Sequence, residues 1–143
     1  MTKQTLHTEI IALCDYASIS REGKLSINGI FDEIRVQKFP GGLARAFLVA
    51  TISGTPDTAY KLNLKIETKN NKNVNPSLGN TILETVTGPN GRNNLVIELN
   101  GLPFEEEGDY VFKLYEGNHE VGSTLLKVFQ QGTYSINDIK LPN

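Results

Sequence analysis

The chain reads as all-β, folded as one β-sandwich, on three observations. Short runs of β pattern recur along its 143 residues, divided by turn signals at regular short intervals. The apolar stock is mainly Leu, Ile and Val, with six Phe, five Tyr and no Trp. Near the C-terminal end an apolar lead-in, Leu102-Pro103-Phe104, meets an acidic turn, Glu105-Glu106-Glu107-Gly108. The alternating strand Tyr110, Phe112, Leu114 follows. In immunoglobulin-like sandwiches a corner tyrosine buries its ring and donates its hydroxyl to backbone a few residues upstream. The expected fold is therefore a single immunoglobulin-like/C2-like antiparallel β-sandwich of about eight strands. Tyr110 is expected to be buried, with its hydroxyl bonded to backbone within residues 104–108.

The first strand is residues 9–15, a continuous apolar run whose length and β-branched content suit a central strand covered on both faces. Arg21-Glu22-Gly23 turns the chain. Leu25 and Ile27 then alternate with Lys24, Ser26 and Asn28, and Phe31, Ile34 and Val36 extend that strand. Gly29 within it suggests a bulge. After the loop Phe39-Pro40-Gly41-Gly42-Leu43, residues 46–52 form a second doubly covered strand. Gly54-Thr55-Pro56-Asp57 turns into a well-alternating strand with Tyr60, Leu62, Leu64 and Ile66 facing inward.

Residues 70–77 are Asn-rich and polar, suited to an exposed connection. A Thr-rich edge strand follows over residues 81–87, then the turn Gly88-Pro89-Asn90-Gly91 and a strand carrying Leu95, Ile97 and Leu99. Beyond the corner, residues 116–120 make a hairpin turn, and residues 121–129 return. The expected organisation is an N-terminal extension over residues 1–8, a sandwich domain over 9–129, and a tail over 130–143 that adds an edge strand or drapes over the body.

Charge excludes some functions. The net charge is −2, and no basic cluster is present. Affinity for nucleic acid comes largely from neutralised phosphates, so no nucleic-acid partner is expected. Residues 1–72 carry ten Lys/Arg against seven Asp/Glu and the remainder four against nine, an asymmetry compatible with head-to-tail association but expected to be blurred as strands interleave. The start of the chain lacks an apolar leader, and no apolar run spans a bilayer. The single cysteine, Cys14, excludes an internal disulfide and fits a reducing compartment. The expected location is the cytoplasm, with no membrane partner.

The chemistry-bearing residues do not assemble. Cys14 sits in an apolar run and is expected to be an inert core thiol. His7 and His119 are isolated, and a zinc site needs three or four closely spaced ligands. Glu105, Glu106, Glu107 and Asp109 are one wall of a calcium site without a second. Gly41-Gly42 lacks the Lys-Ser/Thr and the helix of a phosphate loop. Asn75-Pro76-Ser77 is disqualified as a glycosylation acceptor by its proline. Tyr115 falls out of phase with its strand and is expected to be exposed. No catalytic, cofactor-binding or metal residue is assigned.

Leu13-Cys14-Asp15-Tyr16-Ala17, the strand Gly23-Lys24-Leu25-Ser26-Ile27-Asn28-Gly29, and Gly108-Asp109-Tyr110 together resemble an uncharacterised family of short bacterial proteins. The resemblance covers residues 10–129 loosely. It implies one β-sandwich and a bacterial or phage origin, and it brings no activity and no functional residues. Asp15 and Asp32 within it read as structural carboxylates that fix the turns after them.

The leading expectation is a non-enzymatic module that binds a protein partner or self-associates, through residues 39–43, 70–77 or 116–120. A small-ligand or carbohydrate-binding module, calcium-assisted at residues 105–109, is the second expectation. An enzyme of unfamiliar type is the third.

Overall fold

The computed structural model describes residues 3–68 and 82–132. These form a two-layer all-β sandwich. Its strands are β1 (His7–Ile19), β2 (Leu25–Phe31), β3 (Glu33–Val36), β4 (Gly41–Ser53), β5 (Ala59–Thr68), β6 (Ile82–Val86), β7 (Arg92–Phe104), β8 (Gly108–Glu116) and β9 (His119–Gln130). One sheet has the order β2-β1-β4-β7 and the other β3-β9-β8-β5-β6.

The described residues hold nine strands where eight were expected, because the second expected strand divides. β2 pairs with β1 in the four-stranded sheet, while β3 pairs with β9 in the five-stranded one. Asp32 marks the crossing: its carbonyl accepts the Lys127 amide at 2.9 Å. The β3–β9 ladder is parallel, so the sandwich is not antiparallel throughout. The partner of β3 lies far along the chain, and four residues carry no local mark of strand direction.

The core follows the alternation. Leu13, Leu48, Ala50 and Ile52 of one sheet pack in a single cluster with Leu62, Leu64, Ile66, Phe112 and Leu114 of the other. Each buried Leu, Ile or Phe among them contributes roughly 1.5–3 kcal/mol. All of residues 46–52 are buried, as expected for a strand covered on both faces. Phe47 and Val49 point away from the main core and stand in register with Cys14 and Ala12. These four, with Ala17, form a second and smaller apolar cluster flanked by Leu25, Ile27 and Val96.

Tyr110 occupies the corner position read from sequence. It is only 2% exposed, and its hydroxyl donates to the Glu106 carbonyl at 2.6 Å. Its ring packs on Phe104 with centroids 4.6 Å apart. Burial first of all pushes the Tyr110 hydroxyl pKa up, and the Glu106 and Glu105 charges add to the rise, against a lowering by the backbone at Glu106.

Residues 3–8 are tied to the body. Leu6 is wholly buried in the main core. The Gln4 amide donates to Thr55 Oγ1 at 2.5 Å, and the Gln4 carbonyl accepts the Tyr60 hydroxyl at 3.1 Å. The tail over 133–143 and the Asn-rich stretch over 70–77 lie outside the described residues.

Two carboxylate and glycine expectations change. Asp15 does not end a strand, since β1 continues to Ile19. Its carboxylate lies over Gly29, where a Cβ would collide with it. Gly29 has φ +70°, which only glycine adopts easily. It is not an inserted bulge residue: Cys14–Ile30 and Tyr16–Asn28 keep one register on either side of it.

Candidate interaction surface

The residues that suggested chemistry are used structurally. Cys14 is fully buried, and burial, first of all, pushes its thiol pKa up, with the Asp15 charge adding to this and a backbone bond at Tyr16 opposing. A thiol held protonated is a poor nucleophile. His119 donates from Nε2 to the Leu6 carbonyl at 3.0 Å and so fastens the N-terminal segment to the β8–β9 hairpin. His7 is exposed at the start of β1. In the acidic turn, Glu107 accepts the Gln130 amide at 2.6 Å, and Glu106 gives its carbonyl to Tyr110. No group of three or more His, Cys, Asp or Glu side chains among the described residues is placed to hold a metal.

A polar cleft of about 370 Å³ opens between Gly23, Thr51, Asn90, Arg92, Asn93 and Asn94. Its side chains are occupied with each other and with their surroundings. Thr51 Oγ1 donates to Asn94 Oδ1 at 2.7 Å, and Asn94 Nδ2 donates to the Gly23 carbonyl at 3.0 Å. Asn93 Nδ2 donates to Thr85 Oγ1 at 2.7 Å, and Arg92 pairs with Glu9. The cleft is a polar brace across the end of the sandwich.

Of the surfaces expected to engage partners, the 116–120 turn is pinned by Lys3–Glu116 at 3.1 Å and by His119. In the 39–43 segment Phe39 packs against the core, and Gly41, Gly42 and Leu43 open β4. Gly42 is required there because a Cβ would strike the Leu102 carbonyl. A shallow apolar groove of about 260 Å³ runs between residues 41–44 and 101–103.

The centre of the outer face of the five-stranded sheet is charged and internally paired, while Ile82 and Val86 of β6 and Leu125 of β9 stand in solvent on the same face. Lys113 sits between Glu67 at 3.0 Å and Glu120 at 3.5 Å. The Glu67 hydrogen bond raises the Lys113 pKa most, against a smaller lowering by burial. Tyr115, expected to be exposed, is half-buried beside this network with Lys65 Nζ 4.8 Å from its ring centre. Its outward direction follows from ordinary alternation after the inward-facing Leu114, opposite Asn63 of β5.

The four-stranded sheet differs at its β2 side. Ile30 is 66% exposed and Tyr16 51% exposed, with Ile10 and Ile19 also in solvent. Tyr16 rests edge-on against Phe47 at 5.6 Å, and Arg45 covers the same ring at 5.3 Å. β2 itself, Leu-Ser-Ile-Asn-Gly-Ile-Phe, has neither charge nor proline. Only β1 pairs with it among the described strands, so half of its backbone donors and acceptors point away from the sheet.

The other edges are blunted by devices that discourage strand addition. β7 carries Arg92, Glu98 and Pro103. β3 is four residues long and bears the Glu33–Arg35 pair. β6 is five residues long, with Glu84 at its centre. Sequence reading passed over β2 as a surface. The signal was present in the absence of charge over residues 25–31, but only the sheet order shows that this strand is an edge.

Comparison with known proteins gives a family and no activity. The chain belongs to a family of unknown function, DUF6941, whose model matches residues 9–129. No curated protein matches it. Among solved structures it is similar to a GH3 beta-glucosidase of Bifidobacterium adolescentis, with 9% identity and a TM-score of 0.49, over 87% of this chain and 17% of that one. It is also similar to a beta-glucosidase of Listeria innocua in complex with glucose, with 10% identity and a TM-score of 0.46, over 88% of this chain and 16% of that one. This chain thus spans about a sixth of either enzyme's length.

Proposed function

We propose that this chain is a non-enzymatic β-sandwich module that works through protein–protein interaction or self-assembly, docking by the β2 edge and the apolar surface beside it. The observation that carries the reading is the contrast of β2 with the other edges: β2 has seven uncharged residues and no proline beside the exposed Ile30, whereas β6, which also exposes Ile82 and Val86, is shorter and charged at Glu84. An open strand of this kind accepts another strand by main-chain hydrogen bonds, and the side chains around it set specificity. The polar cleft supports the same reading from the other side, because its groups are already paired within the chain. The proposal includes an immunoglobulin-like corner at Tyr110, a bacterial or phage setting, and a reducing cytoplasm in which the buried Cys14 stays a thiol. No helix among the described residues is long and apolar enough to cross a membrane.

The test pairs light scattering on the purified protein with quantitative capture from a native extract, each repeated with Ile30→Lys. The reading expects either a mass above one chain or a specifically captured protein, and loss of that association in the variant. A monomer that captures nothing sensitive to Ile30→Lys contradicts it.

A further inference from the structure

We infer that the occupant of the β2 edge is β2 of a second copy of this chain, paired antiparallel about a two-fold axis through Asn28. This deepens the interaction reading above and rests on it. The charges that bracket the strand carry the inference. β2 is uncharged over Leu25–Phe31, with Lys24 immediately before it and Asp32 immediately after it. Both charged residues are exposed, and neither has an ion-pair partner among the described residues.

Lys24 and Asp32 are equally far from Asn28. An antiparallel pairing that sets Asn28 against its own copy therefore sets Lys24 against Asp32 at both ends of the ladder. The same register sets Leu25 opposite Phe31, Ser26 opposite Ile30, and Ile27 opposite Gly29, which has no side chain to oppose it. Opposite residues in antiparallel strands share a face, so the unlike charges meet at both ends and Leu25 meets Phe31 just inside them. A parallel alignment in register would instead set Lys24 beside Lys24 and Asp32 beside Asp32, and like charges directly opposite are destabilising.

The pairing is isologous and closed, as in most homodimers. It joins two four-stranded sheets into one continuous sheet. It covers the outward backbone groups of β2 and sets Ile30 of each copy against Ser26 of the other, partly removing it from solvent. The ladder has a length of about 24 Å at the antiparallel rise of roughly 3.4 Å per residue. No other edge among the described strands offers this symmetry: β3 has its charges paired internally, β7 carries Pro103, which has no amide to give an added strand, and a symmetric pairing of β6 about its centre would set Glu84 against Glu84.

Sedimentation equilibrium on the full chain tests the inference with Lys24→Glu, Asp32→Lys and the double exchange. All three changes are at exposed positions, and thermal melting checks that each variant folds. The wild type is expected to dimerise. Each single reversal places two like-charge pairs in the interface and is expected to raise the dissociation constant roughly tenfold or more. The double exchange restores unlike pairs and is expected to return it to within about threefold of wild type. As an independent readout, oxidation of Asn28→Cys is expected to give a disulfide-linked dimer, since the two-fold axis brings the two side chains together.

A wild type that stays monomeric at millimolar concentration overturns the inference. If it then still captures a partner lost on Ile30→Lys, a foreign strand occupies the edge and the broader reading stands. A dimer that ignores both reversals, or a double exchange as weak as the singles, overturns this register.

Discussion

The outer face of the five-stranded sheet satisfies its own charges, whereas the β2 side of the four-stranded sheet leaves apolar side chains and backbone in solvent. On the first, Lys113 is held between Glu67 and Glu120, and Lys65 covers Tyr115. On the second, Ile30 and Tyr16 are exposed beside a strand with one partner. The two regions share the same pleat and the same core behind them. What separates the Lys113 network from the β2 side is whether the groups there find their partners inside the chain. A surface that does is finished as a monomer, and one that does not is a place for another molecule.

Substitutions from the core outward sharpen this contrast. The largest effect belongs to the layer both faces share. Phe112→Ala empties a wholly buried site and is expected to cost about 3–5 kcal/mol in urea or guanidinium unfolding. Tyr110→Phe keeps the ring and removes only the hydroxyl bonded to Glu106. The expected loss is about 1 kcal/mol by the same measurement.

The same hydroxyl sets an alkaline limit on stability. Its pKa in the folded chain lies above the ordinary tyrosine value, so the unfolded chain loses the proton first. Stability is complete below about pH 10. It falls as pH rises from there through the raised folded value. Lys113, also raised, contributes in the same direction over its own range. Unfolding free energy measured from pH 9 to 12 is expected to decline less steeply in Tyr110→Phe. An unchanged decline removes Tyr110 as a source.

The paired face is expected to respond in stability. Lys113→Met leaves the half-buried Glu67 carboxylate without its partner and is expected to cost about 0.5–1 kcal/mol, with no change in association. The open face is expected to respond the opposite way. Ile30→Ser shifts unfolding of the dilute monomer by less than about 0.5 kcal/mol, the ordinary range for an exposed position. It nonetheless weakens association, as measured by sedimentation.

Much of the fold was legible because it is local. The alternation of Tyr60, Leu62, Leu64 and Ile66 marks β5, and the seven buried residues of 46–52 read as a strand covered on both sides. The Tyr110 corner is carried by residues four apart. The errors are where long-range partners decide. Leu6 has no periodic neighbours to announce it, yet Tyr60 and His119 draw its segment into the body. Tyr60 also accepts the Thr55 amide at 2.9 Å, a second tyrosine tie that no local pattern marked. Ile34 and Val36 follow Phe31 closely enough to read as one strand, although the apolar phase shifts between Phe31 and Ile34, and the ladder with Lys127–Gln130 places residues 33–36 in the other sheet. The candidate surface was least legible of all. A strand's own sequence does not say whether it has one neighbour or two, and β2 becomes notable only once the sheet order leaves it at an edge.

Amide hydrogen exchange of β2, followed against protein concentration, tests the central claim most directly. The outward-pointing amides of Leu25–Phe31 are expected to exchange fast in dilute protein and to slow as dimer forms, while the amides bonded to β1 stay protected throughout. Exchange at those outward amides that is independent of concentration, in protein that associates, would place the contact elsewhere and contradict the account.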